Sequence, residues 1–348
     1  MADEIPGVDL DALRPFFDEH VGGNGSLRAE VISGGRSNLT YTIERGGDTW
    51  VLRRPPLGHV LPTAHDMRRE YRVLAALAPT DVPVPRVVAF CDDDDVIGAH
   101  FYVMEHVHGV ILRDAAATAT LSDDEARACS EALVDVLTRL HAVDYEKVGL
   151  SDFGHPDGYV QRQVRRWGEQ WEHSKTRDLP AVDELARRLR AALPESGTPT
   201  IVHGDYRLDN TMLAPNDPGT IVAVLDWEMA TLGDPLADVG LFLLYWGQAD
   251  ERVIATGQAV GTQPGFLSAE EVMERYAAKS GRNVDELDYY VALAAYKLAI
   301  IVEGINARFQ MGKTVGEGFD AMGAMVEGIV DAALDRASRS NIPALRGA

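Results

Sequence analysis

Two apolar strand signals interrupted by polar clusters constrain this chain most. In TIVHGDYRLDNTMLAPNDPGTIVAVLD, residues 200–226, the pair Ile201–Val202 runs directly into His203, Asp205, Asp209 and Asn210. A short apolar strand, TMLA, follows, then the turn PNDPG and a second strand, TIVAVL, ending at Asp226. Proline and glycine in a short loop between apolar runs predict a β-hairpin. Pairing Ala214 with Thr220 and counting outward sets Asn210 opposite Val224, close to Asp226. Folding then gathers a carboxamide and a carboxylate at the open end, with Asp205 on the loop that feeds it. Oxygen ligands so placed suit a hard cation such as Mg²⁺. Singly, Asp and Asn cap turns; as a converging set after buried strands they point to chemistry.

The flanking pattern is β-rich before this region and helical around it. Residues 9–21 read as a short amphipathic helix opening at Asp9. Residues 27–54 alternate strands with glycine turns, the signature of an antiparallel meander. A helix, AHDMRREYRVLAALA, comes next, then strands around RVVAFC and HFYVMEHV. The intervening DDDD reads as a solvated hairpin tip. From residue 110 the pattern is mainly helical. Ser122 and Glu125 form a capping box ahead of the stripe Ala126, Cys129, Leu133, Val136, Leu137 and Leu140. Ser268 and Glu271 open a later helix, which Gly281 closes. An α+β chain of two lobes is expected, residues 1–105 and 106–348.

Charge and composition narrow the function. A net charge of −21 over 348 residues argues against nucleic acid or an anionic membrane as partner and suits a cationic ligand. Cys91 and Cys129 are the only cysteines, so no disulfide framework or zinc cluster is expected. The acidic start MADEIPGVDL has no signal-peptide pattern. The apolar segments VGLFLLYW and YVALAAYKLAIIVEGI are too short for a membrane span or are interrupted by Lys297 and Glu303. A cytoplasmic protein is expected.

HGDYRLDN has the spacing of the protein-kinase catalytic loop H-R-D-x-x-x-x-N, with Gly204 for Arg. It resembles the H-G-D-x-x-x-x-N form of the aminoglycoside phosphotransferase and choline kinase family, which has a protein-kinase-like fold. LDWEMATLGDPLADVG resembles that family's metal-binding segment and its continuation. The match runs from about residue 27 to 300. The resemblance implies a small antiparallel β-sheet lobe with one helix, a larger helical lobe, and ATP and Mg²⁺ as cofactors. It implies that Asp205 orients an acceptor hydroxyl and takes its proton, while Asn210 and Asp226 hold Mg²⁺. Asp152-Phe153-Gly154 spells the kinase metal motif but precedes the catalytic loop by far. It reads as a turn, and Asp226-Trp227-Glu228 takes the functional place.

In the first lobe, SGGRSNLTY offers Gly34 and Gly35 for close backbone approach to phosphates, with Ser37 and Asn38 as donors. It resembles the family's nucleotide loop in position, though not in the pattern G-x-G-x-x-G. Glu70 falls on the inward stripe of Met67, Tyr71, Leu74 and Leu77, and a buried carboxylate needs a partner. The strand TWVLRR supplies Arg53, at the place of the kinase lysine. The resemblance implies that Arg53 faces the α and β phosphates, where a guanidinium binds bidentately. FYVMEHVHG resembles the hinge strand, with the backbone of Glu105 and Val107 toward adenine. His106 and His108 read as ordinary polar residues, His141 as a hydrogen-bonded core histidine, and His203 as a brace for the catalytic loop.

The stretch DFGHPDGYVQRQVRRWGEQW falls where this family inserts acceptor-binding helices. Tyr159, Arg162, Gln163, Arg166 and Trp167 are candidates to line an acceptor pocket. They fit equally a solvated amphipathic helix with Trp167 and Trp171 packed inward. The chain resembles the subfamily of kinase-like regions associated with acyl-CoA dehydrogenases, which implies hydroxyacyl thioesters as acceptors beside aminoglycosides and other small alcohols. RQVRR favours an anionic acceptor, whereas the overall charge favours a cation. The leading expectation is an ATP- and Mg²⁺-dependent phosphotransferase acting on a small-molecule hydroxyl. A silent kinase-like nucleotide-binding protein is a second reading, motivated by Arg53 and the irregular glycine loop. A metal-dependent phosphoesterase using His203, Asp205, Asn210 and Asp226 is a third. No A-P-E segment follows Asp226, so protein kinase activity is not expected.

Overall fold

The computed structural model describes residues 5–32, 38–57, 66–195, 197–247, 260–312 and 322–347. Gly34, Gly35 and Ser37 lie outside the described residues. Period-two alternation of apolar residues builds the first lobe. Strands β1 (Arg28–Val31), β2 (Leu39–Arg45), β3 (Asp48–Arg54), β4 (Val87–Cys91) and β5 (Phe101–Glu105) form an antiparallel sheet in the order β1-β2-β3-β5-β4. Tyr41, Ile43, Leu52, Phe101 and Val103 project from one face and pack with Leu13, Phe16 and Phe17 of the Leu10–His20 helix. Asp9 caps that helix as its sequence predicts, accepting from the amides of Asp11 and Ala12. Val51, Tyr102 and Met104 project from the other face and join the main core through the Met67–Leu77 helix. Arg53 lies directly across from Tyr102 on β3 and β5, so alternation sets it on the face toward that helix. The four aspartates 92–95 are exposed between β4 and β5, where Asp93 caps a single helical turn.

The second lobe surrounds two short sheets with helices. Its first long helix, Asp123–Ala142, opens with the expected capping box, and all six predicted stripe residues are buried. Ser268 and Glu271 cap Ala269–Ser280 in the same way, and left-handed Gly281 ends it. Strand β6 (Thr200–Val202) leads into the HGD sequence and pairs antiparallel with β9 (Thr231–Gly233). Between them, β7 (Thr211–Ala214) and β8 (Asp217–Val224) form the expected hairpin. Its register differs from simple counting. Ala214 faces Asp217 rather than Thr220, and Val224 faces Thr211 rather than Asn210. Two irregularities absorb the extra residues of β8, so the turn closes on Pro215 and Asn216 alone. The end result survives, because the Leu225 amide donates to the Asn210 carbonyl at 2.8 Å, beside Asp226.

Two helices are apolar almost all round, as interior helices are. Leu287–Gln310 is long and apolar enough to cross a bilayer, but 78% of its most apolar window is buried inside the chain. Pro235–Trp246 packs against it. The axes approach where Gly240 meets Tyr290: a methyl group there would lie 2.5 Å from the Tyr290 carbonyl carbon. Gly240→Ala is therefore expected to lower stability by about 1–3 kcal/mol through overpacking. Urea unfolding with an unchanged m value checks this.

Candidate active site

The catalytic loop is held from below by one buried carboxylate. Asp238, 1% exposed in the Pro235–Trp246 helix, accepts from the backbone amides of His203 (2.6 Å) and Gly204 (2.7 Å). It also meets His141 Nε2 at 3.3 Å, and His141 Nδ1 contacts the Tyr276 hydroxyl at 2.8 Å. Thus His141 is a bonded core histidine, as expected, and it also supports the loop. The turn at Gly204 has φ +83°, and a methyl group there would lie 2.8 Å from the Met229 carbonyl oxygen. A side chain such as the kinase arginine has no room, which is the physical reason for glycine at this place.

His203 braces the loop as its position suggests. Its Nδ1 accepts from the Asp205 amide (3.2 Å), so the proton sits on Nε2, which donates to the Leu225 carbonyl (2.8 Å). One imidazole therefore ties the base of the loop to the residue before Asp226. Asn210 Nδ2 donates to both the carbonyl (2.8 Å) and Oδ2 (2.9 Å) of Asp205. Its amide oxygen is the atom left to ligate. Asp226 is the only non-glycine residue with positive φ among those described (+63°), a conformation that costs on the order of 1–3 kcal/mol. Arg207 binds Asp209 at 2.8 Å and stands 3.7 Å from Asp205 Oδ2.

The first lobe delivers Arg53 to this loop. Arg53 Nε lies 2.8 Å from Glu70 Oε2, and its Nη2 lies 2.8 Å from Asp226 Oδ1. The pair expected from the helix stripe is present. Glu70, 1% exposed, also accepts from Tyr102 (3.0 Å) and Asn38 (2.8 Å). Burial pushes the Glu70 carboxyl up to about 7, against the pull of Arg53 and the Tyr102 hydrogen bond. Asn38 differs from its expected role: its amide donates to Glu70 and, at 3.1 Å, to Glu228.

A cavity of about 210 Å³ opens between the lobes, with Arg53, Glu105, Val107, Asn210 and Asp226 in its wall. His106 and His108 stack edge to face, and among the described residues no cluster of metal-binding side chains accompanies them. Asp152-Phe153-Gly154 forms the expected turn. Asp152 pairs with Arg72 (2.6 Å), and Arg69 Nη2 reaches the carbonyls of Phe153 (2.9 Å) and Ala230 (3.1 Å).

The acceptor candidates divide. Tyr159, Gln163 and Trp167 stand beside Gly204, whereas Arg162 turns back to the carbonyls of Asp157 and His155, and Arg166 is exposed. Trp171 is buried, so the helix is both amphipathic and site-facing. Asp238 and Lys297 were missed. Each is a charge inside an otherwise apolar helix, a signal that a partner is waiting.

A family model described as the APH phosphotransferase enzyme family matches residues 28–276. The chain belongs to that family. This APH-family chain is 35% identical over 318 residues to acyl-CoA dehydrogenase family member 11 of Rattus norvegicus, covering 89% of the chain and 41% of that protein. It thus spans less than half of that relative. Among solved structures, a Ralstonia eutropha protein classed as an aminoglycoside phosphotransferase superposes with a TM-score of 0.81 at 34% identity, covering 94% and 98% of the two chains. At 17% identity and a TM-score of 0.60, the fold extends to aminoglycoside phosphotransferase APH(4)-Ia, solved with ADP and hygromycin B, over 93% and 98% of the two chains. The bilobal, kinase-like architecture is that of the family.

The supporting network makes a pH prediction. Burial holds the His141 imidazole below its ordinary value. Burial pushes Asp238 up most strongly, but His141, His203 and the Gly204 amide together hold it below its own. Groups depressed by folding contribute stability that is present above their ordinary values and lost as the pH falls. Urea midpoints are expected to decline below pH about 6.5, where the unfolded chain's imidazole takes a proton that buried His141 does not, and further below about 4 through Asp238. His141→Gln should flatten the first part of that decline.

Proposed function

We propose that this chain transfers the γ-phosphate of ATP, with Mg²⁺, to a hydroxyl group of a small molecule. One convergence supports the reading: Asn210, bonded to Asp205, and Asp226, bonded to Arg53, share the wall of the interlobe cavity. The donor set fits the ion. Asn210 offers its amide oxygen and Asp226 a carboxylate, the hard ligands Mg²⁺ takes while keeping waters and phosphate oxygens. When bound, Mg²⁺ offsets the charge that develops on the phosphate oxygens.

The chain's own residues do the rest by position. Asp205, steadied by Asn210, accepts the proton of the acceptor hydroxyl and aims its oxygen. Glu70 holds Arg53 beside Asp226, where the guanidinium meets phosphate oxygens bidentately. Glu105 and Val107 border the adenine end. Gly34, Gly35 and Ser37 are assigned to the phosphates on sequence grounds. Residues 1–105 form the nucleotide-binding lobe and 106–348 the catalytic and acceptor-binding lobe, and the cytoplasm remains the expected location.

Asp205→Asn should lower turnover by about 10²–10⁴-fold, the usual worth of a positioned base. Nucleotide affinity and the melting temperature should stay unchanged. Mass-shift detection of a phosphorylated product from aminoglycosides, cholines, sugars and hydroxyacyl-CoA thioesters supplies the assay. Retention of most turnover by the variant overturns the assignment of Asp205.

A further inference from the structure

The catalytic loop has two sides. Asp209 and Asn210 border the interlobe cavity, whereas Gly204 borders a separate cavity of about 40 Å³. Tyr159, Gln163, Trp167 and Lys297 form part of the wall of this second space, and so does Asp238. Asp205 follows Gly204 directly in the chain, which makes this second space the candidate acceptor side.

Lys297 is the unexplained charge there. It lies in the apolar Leu287–Gln310 helix, whose other inward charge, Glu303, is satisfied by the Thr176 amide (2.8 Å) and hydroxyl (2.6 Å). Lys297 Nζ donates to the Gly204 carbonyl at 3.2 Å, its one hydrogen bond among the described residues, and no described carboxylate lies within ion-pairing distance. An ammonium carries three donors, so two are left beyond the Gly204 carbonyl, with the Trp167 ring 5.8 Å away as the other described neighbour. Burial and Arg166 pull its pKa down, against Asp205 and Asp238. The two oxygens of Asp238 are occupied by the loop amides, so that charge is already spent on backbone.

We infer that Lys297 reads the acceptor: its ammonium binds a carboxylate on it, so the phosphorylated hydroxyl belongs to a hydroxy acid and not to an amine-bearing alcohol. The inference rests on the phosphotransferase reading above. Three observations carry it. The cavity is a few times the 10–15 Å³ that a water needs, room for a carboxylate but not for a sugar ring. A cationic substituent entering it would meet the Lys297 ammonium in the wall. Finally, the Trp167 ring, the kind of face on which a quaternary ammonium settles, has Lys297 Nζ 5.8 Å from its centre. The chain's own cation holds that position. The overall acidity of the chain does not decide the sign of this subsite, because Lys297 is the one cation in its wall among the described residues and the carboxylate there, Asp238, is bonded to backbone amides.

Calorimetric titration in the presence of Mg²⁺ and a non-hydrolysable ATP analogue tests this. The probes are ω-hydroxy acids from glycolate to 6-hydroxyhexanoate, their amides, and amino alcohols of matching length. At the best length the acid should bind about tenfold or more tightly than its amide, a difference of about 1.4 kcal/mol, and the amino alcohol more weakly still. Lys297→Met should erase the preference for acid while leaving affinity for the ATP analogue unchanged, and Lys297→Arg should keep part of it. Equal binding of acid and amide, or no binding of any acid at millimolar concentration, overturns the inference. So does a Lys297→Met variant that weakens acid and amide alike, the mark of a lysine that only holds the Gly204 carbonyl. Thermal melting verifies that each variant is folded. Binding is read without turnover, so charge-selective binding with no phosphorylated product counts against the phosphotransferase reading alone.

Discussion

Everything in the second lobe's chemistry depends on a charge placed where a charge should be costly. A carboxylate removed from water persists only if its oxygens are bonded, and Asp238 satisfies that demand with the amides of His203 and Gly204 and the ring of His141. The bargain runs both ways. The carboxylate gains partners, and a loop that would otherwise bond to water gains a rigid floor. His203 then passes the constraint upward to the Asp205 amide and sideways to the Leu225 carbonyl. The end of β6, the residue before Asp226 and the Pro235–Trp246 helix are thereby fixed relative to one another without a covalent link.

The first lobe is coupled to that platform through two adjacent residues of one helix. Glu70 points into the lobe and collects Arg53, Tyr102 and Asn38. Arg69 points across the interface to the carbonyls of Phe153 and Ala230. Helical spacing turns neighbouring side chains by about 100°, so the same turn can serve both directions. Arg53 closes the circuit by reaching Asp226. Arginine suits that bridging, because its planar fork presents donors to two carboxylates at once, where an ammonium offers a point charge.

The readings that succeeded were those governed by local periodicity. The 3.6-residue stripe exposed Glu70 as a buried carboxylate, and the only question was its partner. Capping boxes at Ser122 and Ser268 were legible because their bonds close within one turn. Counting failed where pairing was uneven, as in β8, whose bulges no even register anticipates. Nor could it show the bonds Asn38 makes, since the side chains that accept from its amide lie 32 and 190 residues away. Asp238 and Lys297 were visible as charges in apolar helices, yet Lys297 was read only as an interruption of a membrane span. Such a residue is better taken as a notice that something polar lies across from it.

By itself, the order of residues determined the α+β pattern, the polar cluster around Asp205, Asn210 and Asp226, and the family whose motif it carries. Each depends on chemistry within a turn, a hairpin or a motif. Tertiary structure alone decided that Asp238 supports the loop, that Asn38 serves carboxylates, and that Lys297 stands beside Gly204 rather than anywhere else along its helix. Those contacts join segments distant in sequence. Their geometry is set by how apolar faces pack, as at Gly240 against Tyr290, and linear spacing does not encode it.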